Sequence, residues 1–95
     1  AMGKGRAQIC AKGVPRAWLQ FQGGLEYGAT YLADPGKCIE ATIPSGTYAI
    51  SVWVVFDNGT KMELHRFGAN PSINPGVKVF TYGNHILDQS VVVTS

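Results

Sequence analysis

Short runs of alternating apolar and polar residues, each closed by Gly, Pro, Asn or Asp, fill most of the chain. A period of two marks a half-buried strand, and clustered Gly and Pro interrupt the backbone between strands. The runs fall at residues 6–11, 16–22, 26–32, 37–43, 47–56, 60–67, 77–82 and 86–94. Between them lie Gly23-Gly24, Asp34-Pro35-Gly36, Pro44-Ser45-Gly46, Asp57-Asn58-Gly59, the longer segment 68–76, and Gly83-Asn84. This spacing predicts an all-β fold, a single small antiparallel β-sandwich of about seven or eight strands.

The run 47–56 carries the most information. Tyr48, Ile50, Val52, Val54 and Phe56 share one face and are expected in the core, leaving Thr47, Ala49, Ser51, Trp53 and Val55 on the other. In the next run Met62 and Leu64 form the apolar face, with Lys61, Glu63 and His65 pointing outward. A two-residue Asn-Gly loop would set Val54 against Glu63 and send the two apolar faces to opposite sides. A three-residue loop, Asp57-Asn58-Gly59 with Gly59 in the left-handed region, instead pairs Val54 with Met62, Val52 with Leu64, Trp53 with Glu63 and Ser51 with His65.

Composition agrees with a packed β domain. Apolar residues make up 45% of the chain and charged residues 15%, against about 25% charged in an average soluble protein. Disorder is excluded on that balance. Ninety-five residues make one domain, read as residues 6–95 behind a flexible N-terminal remnant at residues 1–5. The longest apolar run, 50–56, has the length of a strand and not of a membrane span.

The net charge is +2, with Lys4, Arg6, Lys12 and Arg16 gathered near the start. A nucleic-acid partner would need a denser basic stripe than this. Cys10 and Cys38 lack the spacing of a zinc site. Their expected use is a disulfide, which places the protein in a secreted or extracellular setting. Both fall on the more polar face of their runs, so the bridge is expected toward the outside, tying the first strand to a neighbour.

Candidate chemistry is sparse. His65 and His85 are the two histidines, and His65 beside Ser51 is the one Ser-His pairing that the predicted register makes. It lacks the strained turn and orienting group that nucleophilic catalysis requires. Asp34 and Asp57 sit in turns, where a short acceptor serves the backbone. No catalytic residues, no metal site and no cofactor are expected.

The aromatic residues are the stronger lead. Trp53 is placed outside the core by parity, and Trp18 lies on the face opposite Leu19 and Phe21. Outward Trp residues bring large contact area with a polar handle. The candidate binding residues are therefore Trp53 and Trp18, with outward Glu63 and His65, and Asn70 and Asn74 of the Pro-rich loop.

The stretch from Asp34-Pro35-Gly36 through Ile43-Pro44-Ser45-Gly46-Thr47-Tyr48 to Val52 resembles the turn, strand, turn, strand signature of transthyretin-like and carboxypeptidase-regulatory-like sandwiches. It implies a sandwich fold and an extracellular location. Val52 to Thr60, with Cys10 and Cys38 flanking a Trp-bearing segment, is similar to small secreted amylase-inhibitor sandwiches of actinobacteria. Those carry a Trp-Arg-Tyr triplet and a second disulfide, whereas here Trp18 is followed by Leu19-Gln20 and two cysteines are present.

The expected function is a non-catalytic extracellular binding module for a protein or glycan. A secreted enzyme inhibitor acting through a rigid loop at 68–76 or 33–37, and a structural domain of a larger surface protein, are the other readings. Oligomeric state stays open, because an uncapped strand at 86–94 is able to pair with another edge.

Overall fold

The computed structural model describes residues 5–23, 30–69 and 76–94. Among them are eight strands: β1 (Arg6–Ala11), β2 (Arg16–Gln22), β3 (Thr30–Ala33), β4 (Cys38–Thr42), β5 (Ala49–Val55), β6 (Lys61–Gly68), β7 (Val77–Tyr82) and β8 (Ser90–Thr94). They form two four-stranded sheets, the first ordered β4-β1-β7-β8 and the second β3-β2-β5-β6. The protein is thus an all-β sandwich with one disulfide among the described residues.

The sandwich is antiparallel as expected apart from one pair, since β1 and β7 run parallel. Tight turns require sequential neighbours to be antiparallel, but β1 and β7 are joined through the whole of the second sheet and are free of that constraint.

The core lies between the sheets. Ile9 and Val79 from the first sheet meet Leu19, Phe21, Ile50, Val52 and Val54 from the second, with Ala7, Ala11, Ala17 and Ala33 filling the narrower spaces. In β2 the alternation is complete, with Ala17, Leu19 and Phe21 buried and Arg16, Trp18, Gln20 and Gln22 partly exposed on the other face. A single slip of register would exchange these two sets, so burial fixes the pairing.

Two segments depart from the sequence reading. Tyr48 was expected in the core and is 65% exposed. The strand begins at Ala49, and Thr47 before it is turned inward, with hydrogen bonds from its Oγ1 and its amide to the carbonyl of Pro44, at 2.6 and 3.2 Å. The Tyr48 ring then lies against Gly23 instead of the core. The run 86–94 is also divided: Ile86–Asp88 is a short 3₁₀ turn and only Ser90–Thr94 is a strand. The Asp88 carboxylate accepts from the amides of Asn84 and His85, at 2.9 and 2.7 Å, and curls the backbone away from the sheet.

The β5–β6 turn has three residues as expected. Gly59 has φ of 88°, Phe56 and Thr60 close the loop through a 2.9 Å backbone bond, and Val54 pairs with Met62 and Trp53 with Glu63. Beyond that point the register shifts. Val52 faces His65 instead of Leu64, and Ser51 faces Arg66 instead of His65. The cause is parity: Met62 and Phe67 both pack against the core, yet they are an odd five positions apart. Only an extra residue in β6 lets both reach the same face, and the bulge at Leu64 supplies it.

The Cys10–Cys38 disulfide joins directly paired residues of β1 and β4, with Cα atoms 4.1 Å apart. It lies on the face shared with Gln8 and Glu40, away from the inter-sheet core, as the parity of both strands requires. Cys10 is nonetheless only 2% exposed while Cys38 is open to solvent. On the same face Arg6 holds Glu40 at 2.6 Å and donates to Thr42 Oγ1 at 2.8 Å.

Candidate functional site

The outer face of the second sheet collects the polar alternates of β2, β5 and β6. Its central row runs Leu32, Trp18, Trp53 and Glu63 across four strands. Trp18 and Trp53 are directly paired and their rings stack, with centroids 5.3 Å apart and planes 4° from parallel. Both indoles are half-buried. Each sits there because its strand gives the opposite face to the core: Leu19 flanks Trp18, and Val52 and Val54 flank Trp53.

The neighbouring row toward Gln22 is polar and internally bonded. Gln20 Oε1 accepts from Trp53 Nε1 and from Gln22 Nε2, both at 3.1 Å. Ser51 Oγ accepts from Arg66 Nε at 3.2 Å and from Gln22 Nε2 at 3.4 Å. Arg66 also reaches Glu63 Oε2 at 3.5 Å. Trp53 is therefore held in orientation by an amide, which in turn is held by a second amide. Trp18 has no such partner among the described residues, and its Nε1 is left unbonded.

The row on the other side consists of Arg16, Val55 and Lys61. With Trp18 and Leu32 these residues line a shallow pocket of about 320 Å³. Lys61 Nζ stands 5.9 Å from the centroid of the Trp18 ring, within reach of a cation–π contact.

The sequence-predicted residues thus divide. Trp18, Trp53 and Glu63 share one face, whereas His65 stands opposite Val52 and stacks on Phe67 at 5.7 Å. The bulge at Leu64 removes His65 from the Trp face and dissolves the expected Ser51–His65 pair. Asn70 and Asn74 lie outside the described residues, as do residues 70–75 of the loop that carries them. Gln20, Gln22, Arg66, Arg16 and Lys61 were not singled out from sequence. The signal for the first two was present, since they alternate with Leu19 and Phe21 in phase with Trp18.

A second surface feature lies at the end of the sandwich. Phe56, Asn58, Asn84, His85, Ile86, Leu87 and Asp88 line a depression of about 650 Å³. Leu87 is 98% exposed beside an exposed Ile86. The turn that presents them is pinned by Asp88, whose carboxyl is held below its ordinary value by the amides of His85 and Asn84. The other predicted loop, around Asp34 to Lys37, is exposed and fastened to β1 by a bond from the Gly36 amide to Ala11 O at 2.8 Å.

Among the described residues no group of three or more His, Cys, Asp or Glu is placed to hold a metal ion. No helix of these residues is long and apolar enough to cross a membrane. No protein-family model and no curated protein matches the chain. A solved structure described as "Trapped Toxin" is similar in fold, with a TM-score of 0.50 at 13% identity. The match covers 95% of this chain and 23% of the other, so the chain spans less than a quarter of that protein's length.

Proposed function

We propose that the outer face of the β3-β2-β5-β6 sheet is a non-catalytic recognition surface, and that the protein is an extracellular binding module. The observation that carries this reading is the stacked Trp18–Trp53 pair, set outward on a sheet whose other side fills the core. Two indoles at the centre of a face, one fixed by an amide network, form a preorganised anchor that loses little side-chain freedom on binding. The Cys10–Cys38 disulfide supports secretion, because such bonds persist in oxidising compartments. Two packed four-stranded sheets likewise support a transthyretin-like affiliation.

Trp emission and iodide quenching, measured alone and against panels of polysaccharides and secreted proteins, test the reading. A ligand of this face shifts the emission and shields the indoles. Unchanged emission and quenching across both panels would remove the proposal.

A second reading, inhibition of a secreted enzyme, is favoured by Leu87. A side chain 98% exposed on a turn tied down by Asp88 is the arrangement of a rigid inserting residue. Capture of a hydrolase that is abolished by Leu87→Ser and indifferent to the indoles would select this reading over the first.

A further inference from the structure

The row of Arg16, Val55 and Lys61 carries two positive charges and no negative one. The ion pairs among the described residues are Arg6 with Glu40 and Arg66 with Glu63. Arg16 and Lys61 have no carboxylate partner among those residues. Glu63 is the acid closest to Lys61 along the outer face of β6, and it is engaged by Arg66 instead.

The two cations stand on either side of Val55, two strands or about 10 Å apart at the backbone. Their side chains are long enough to converge on an anion held between them. Like charges brought together on one sheet face are unfavourable, and an anion turns that cost into attraction.

The rest of the pocket defines the body that such an anion must be attached to. Trp18 and the exposed Leu32 offer apolar surface over the buried Val55, and the Trp18 ring already accepts one cation beside it. Across the indole pair lie the amides of Gln20 and Gln22 and the Ser51 hydroxyl. A protein interface gathers apolar residues at its centre and is depleted of charge there. This face instead alternates aromatic surface with amide, hydroxyl and cationic groups, which suits a polar chain that itself has apolar C–H faces.

Building on the recognition surface proposed above, we infer that the pocket binds a uronate residue of an acidic polysaccharide. The C–H face of the sugar ring lies against Trp18 and Leu32. Its carboxylate lies between Arg16 and Lys61, and the chain continues over the indole pair toward Gln20.

The test is a fluorescence titration of the whole chain with oligogalacturonate, with neutral dextran and polyglutamate as parallel probes. Saturable binding of oligogalacturonate, stronger than either comparison probe, is expected. Arg16→Gln and Lys61→Gln should each weaken it about tenfold, the worth of one charge-assisted contact. Lys61→Arg should retain it, and Lys78→Gln on the other sheet should leave it unchanged.

Far-UV circular dichroism establishes that each variant is folded. Equal binding of polyglutamate, or full affinity in folded Arg16→Gln and Lys61→Gln variants, overturns the uronate assignment. If dextran or a secreted protein then still shifts the Trp emission, the broader recognition surface stands without it. Silence toward all three probes removes the uronate assignment, and silence toward the panel of secreted proteins as well removes both.

Discussion

Trp18 and Trp53 face one another across the β2–β5 ladder with ring planes only 4° from parallel and centroids 5.3 Å apart. Cross-strand aromatic pairs of this kind contribute about 0.5–1.5 kcal/mol beyond the area they bury. A double-mutant cycle with Trp18→Leu and Trp53→Leu, followed by urea unfolding, should return a coupling energy in that range. Additive effects would mean that the two rings are merely adjacent.

Thr81 is fully buried in β7, and its hydroxyl has no hydrogen-bond partner among the described residues. A desolvated donor without a partner is a standing cost, and an apolar group of the same shape relieves it. Thr81→Val is expected to raise the unfolding free energy by about 1 kcal/mol, read from the urea midpoint at unchanged slope. A loss of stability would reveal a partner for the hydroxyl.

Gly83 and Gly59 both have positive φ, at 120° and 88°, but they differ in surroundings. A Cβ on Gly83 would sit 2.6 Å from the Asp88 carbonyl oxygen, whereas one on Gly59 would meet open space. Gly59→Ala should therefore cost about 1–2 kcal/mol from the backbone alone. Gly83→Ala should cost more, about 3 kcal/mol or above. Thermal unfolding of the two variants side by side checks the order.

The amides of His85 and Asn84 hold the Asp88 carboxyl below its ordinary value. A carboxylate whose folded pKa is depressed adds stability above its unfolded pKa of about 4. That contribution is lost as pH falls through the lower folded value. Asp88→Asn should therefore be less stable than the parent at neutral pH and approach it in strong acid, as measured by thermal midpoints across the acid range. A constant difference at every pH would contradict this.

Removing the disulfide should be costly. It links residues 28 apart, and closing a loop of that size restricts the unfolded chain by about 3–4 kcal/mol. The Cys10→Ala, Cys38→Ala double variant should show that loss in urea unfolding. Binding by the Trp face of the other sheet should persist wherever the variant remains folded.

Much of the fold was legible where the alternation is unbroken. The runs at 6–11 and 16–22 coincide with β1 and β2 because each places apolar residues on one face without interruption, and 77–82 coincides with β7, where Val77 and Val79 share the inner face with the buried Thr81. The outward placement of Trp18 and Trp53 followed from the same parity, and so did the three-residue turn before β6.

What failed were places where something other than period two decides. Tyr48 belongs by phase to the core face of β5, but Thr47 takes the inward position beside the Pro44 turn and Tyr48 points outward, although its backbone still bonds to Gln22 and Ala69. The bulge at Leu64 was hidden by Met62 and Leu64, which suggest an unbroken strand, although the odd spacing from Met62 to Phe67 carries the contrary signal.

The site was legible only in part for a different reason. Period two says which way Trp18 points, but not that β5 is the strand beside it, since that pairing joins residues 35 positions apart. The convergence of Arg16, Lys61 and Trp18 is therefore a product of strand order. It becomes visible only when the sheet is assembled.

The parallel β1–β7 pair makes the assembly of the first sheet a matter of timing. During synthesis β1 emerges first, yet its partner β7 follows only after the entire second sheet has been made. The antiparallel β4 arrives much sooner, and Cys10 meets Cys38 across that ladder. Loop closure favours the nearer partner, so the β1–β4 ribbon is able to form and lock covalently while one flank of β1 still waits. The bond fastens one flank of β1 to β4 and leaves the other to β7, so β1 is held covalently on one side and only by its parallel ladder on the other.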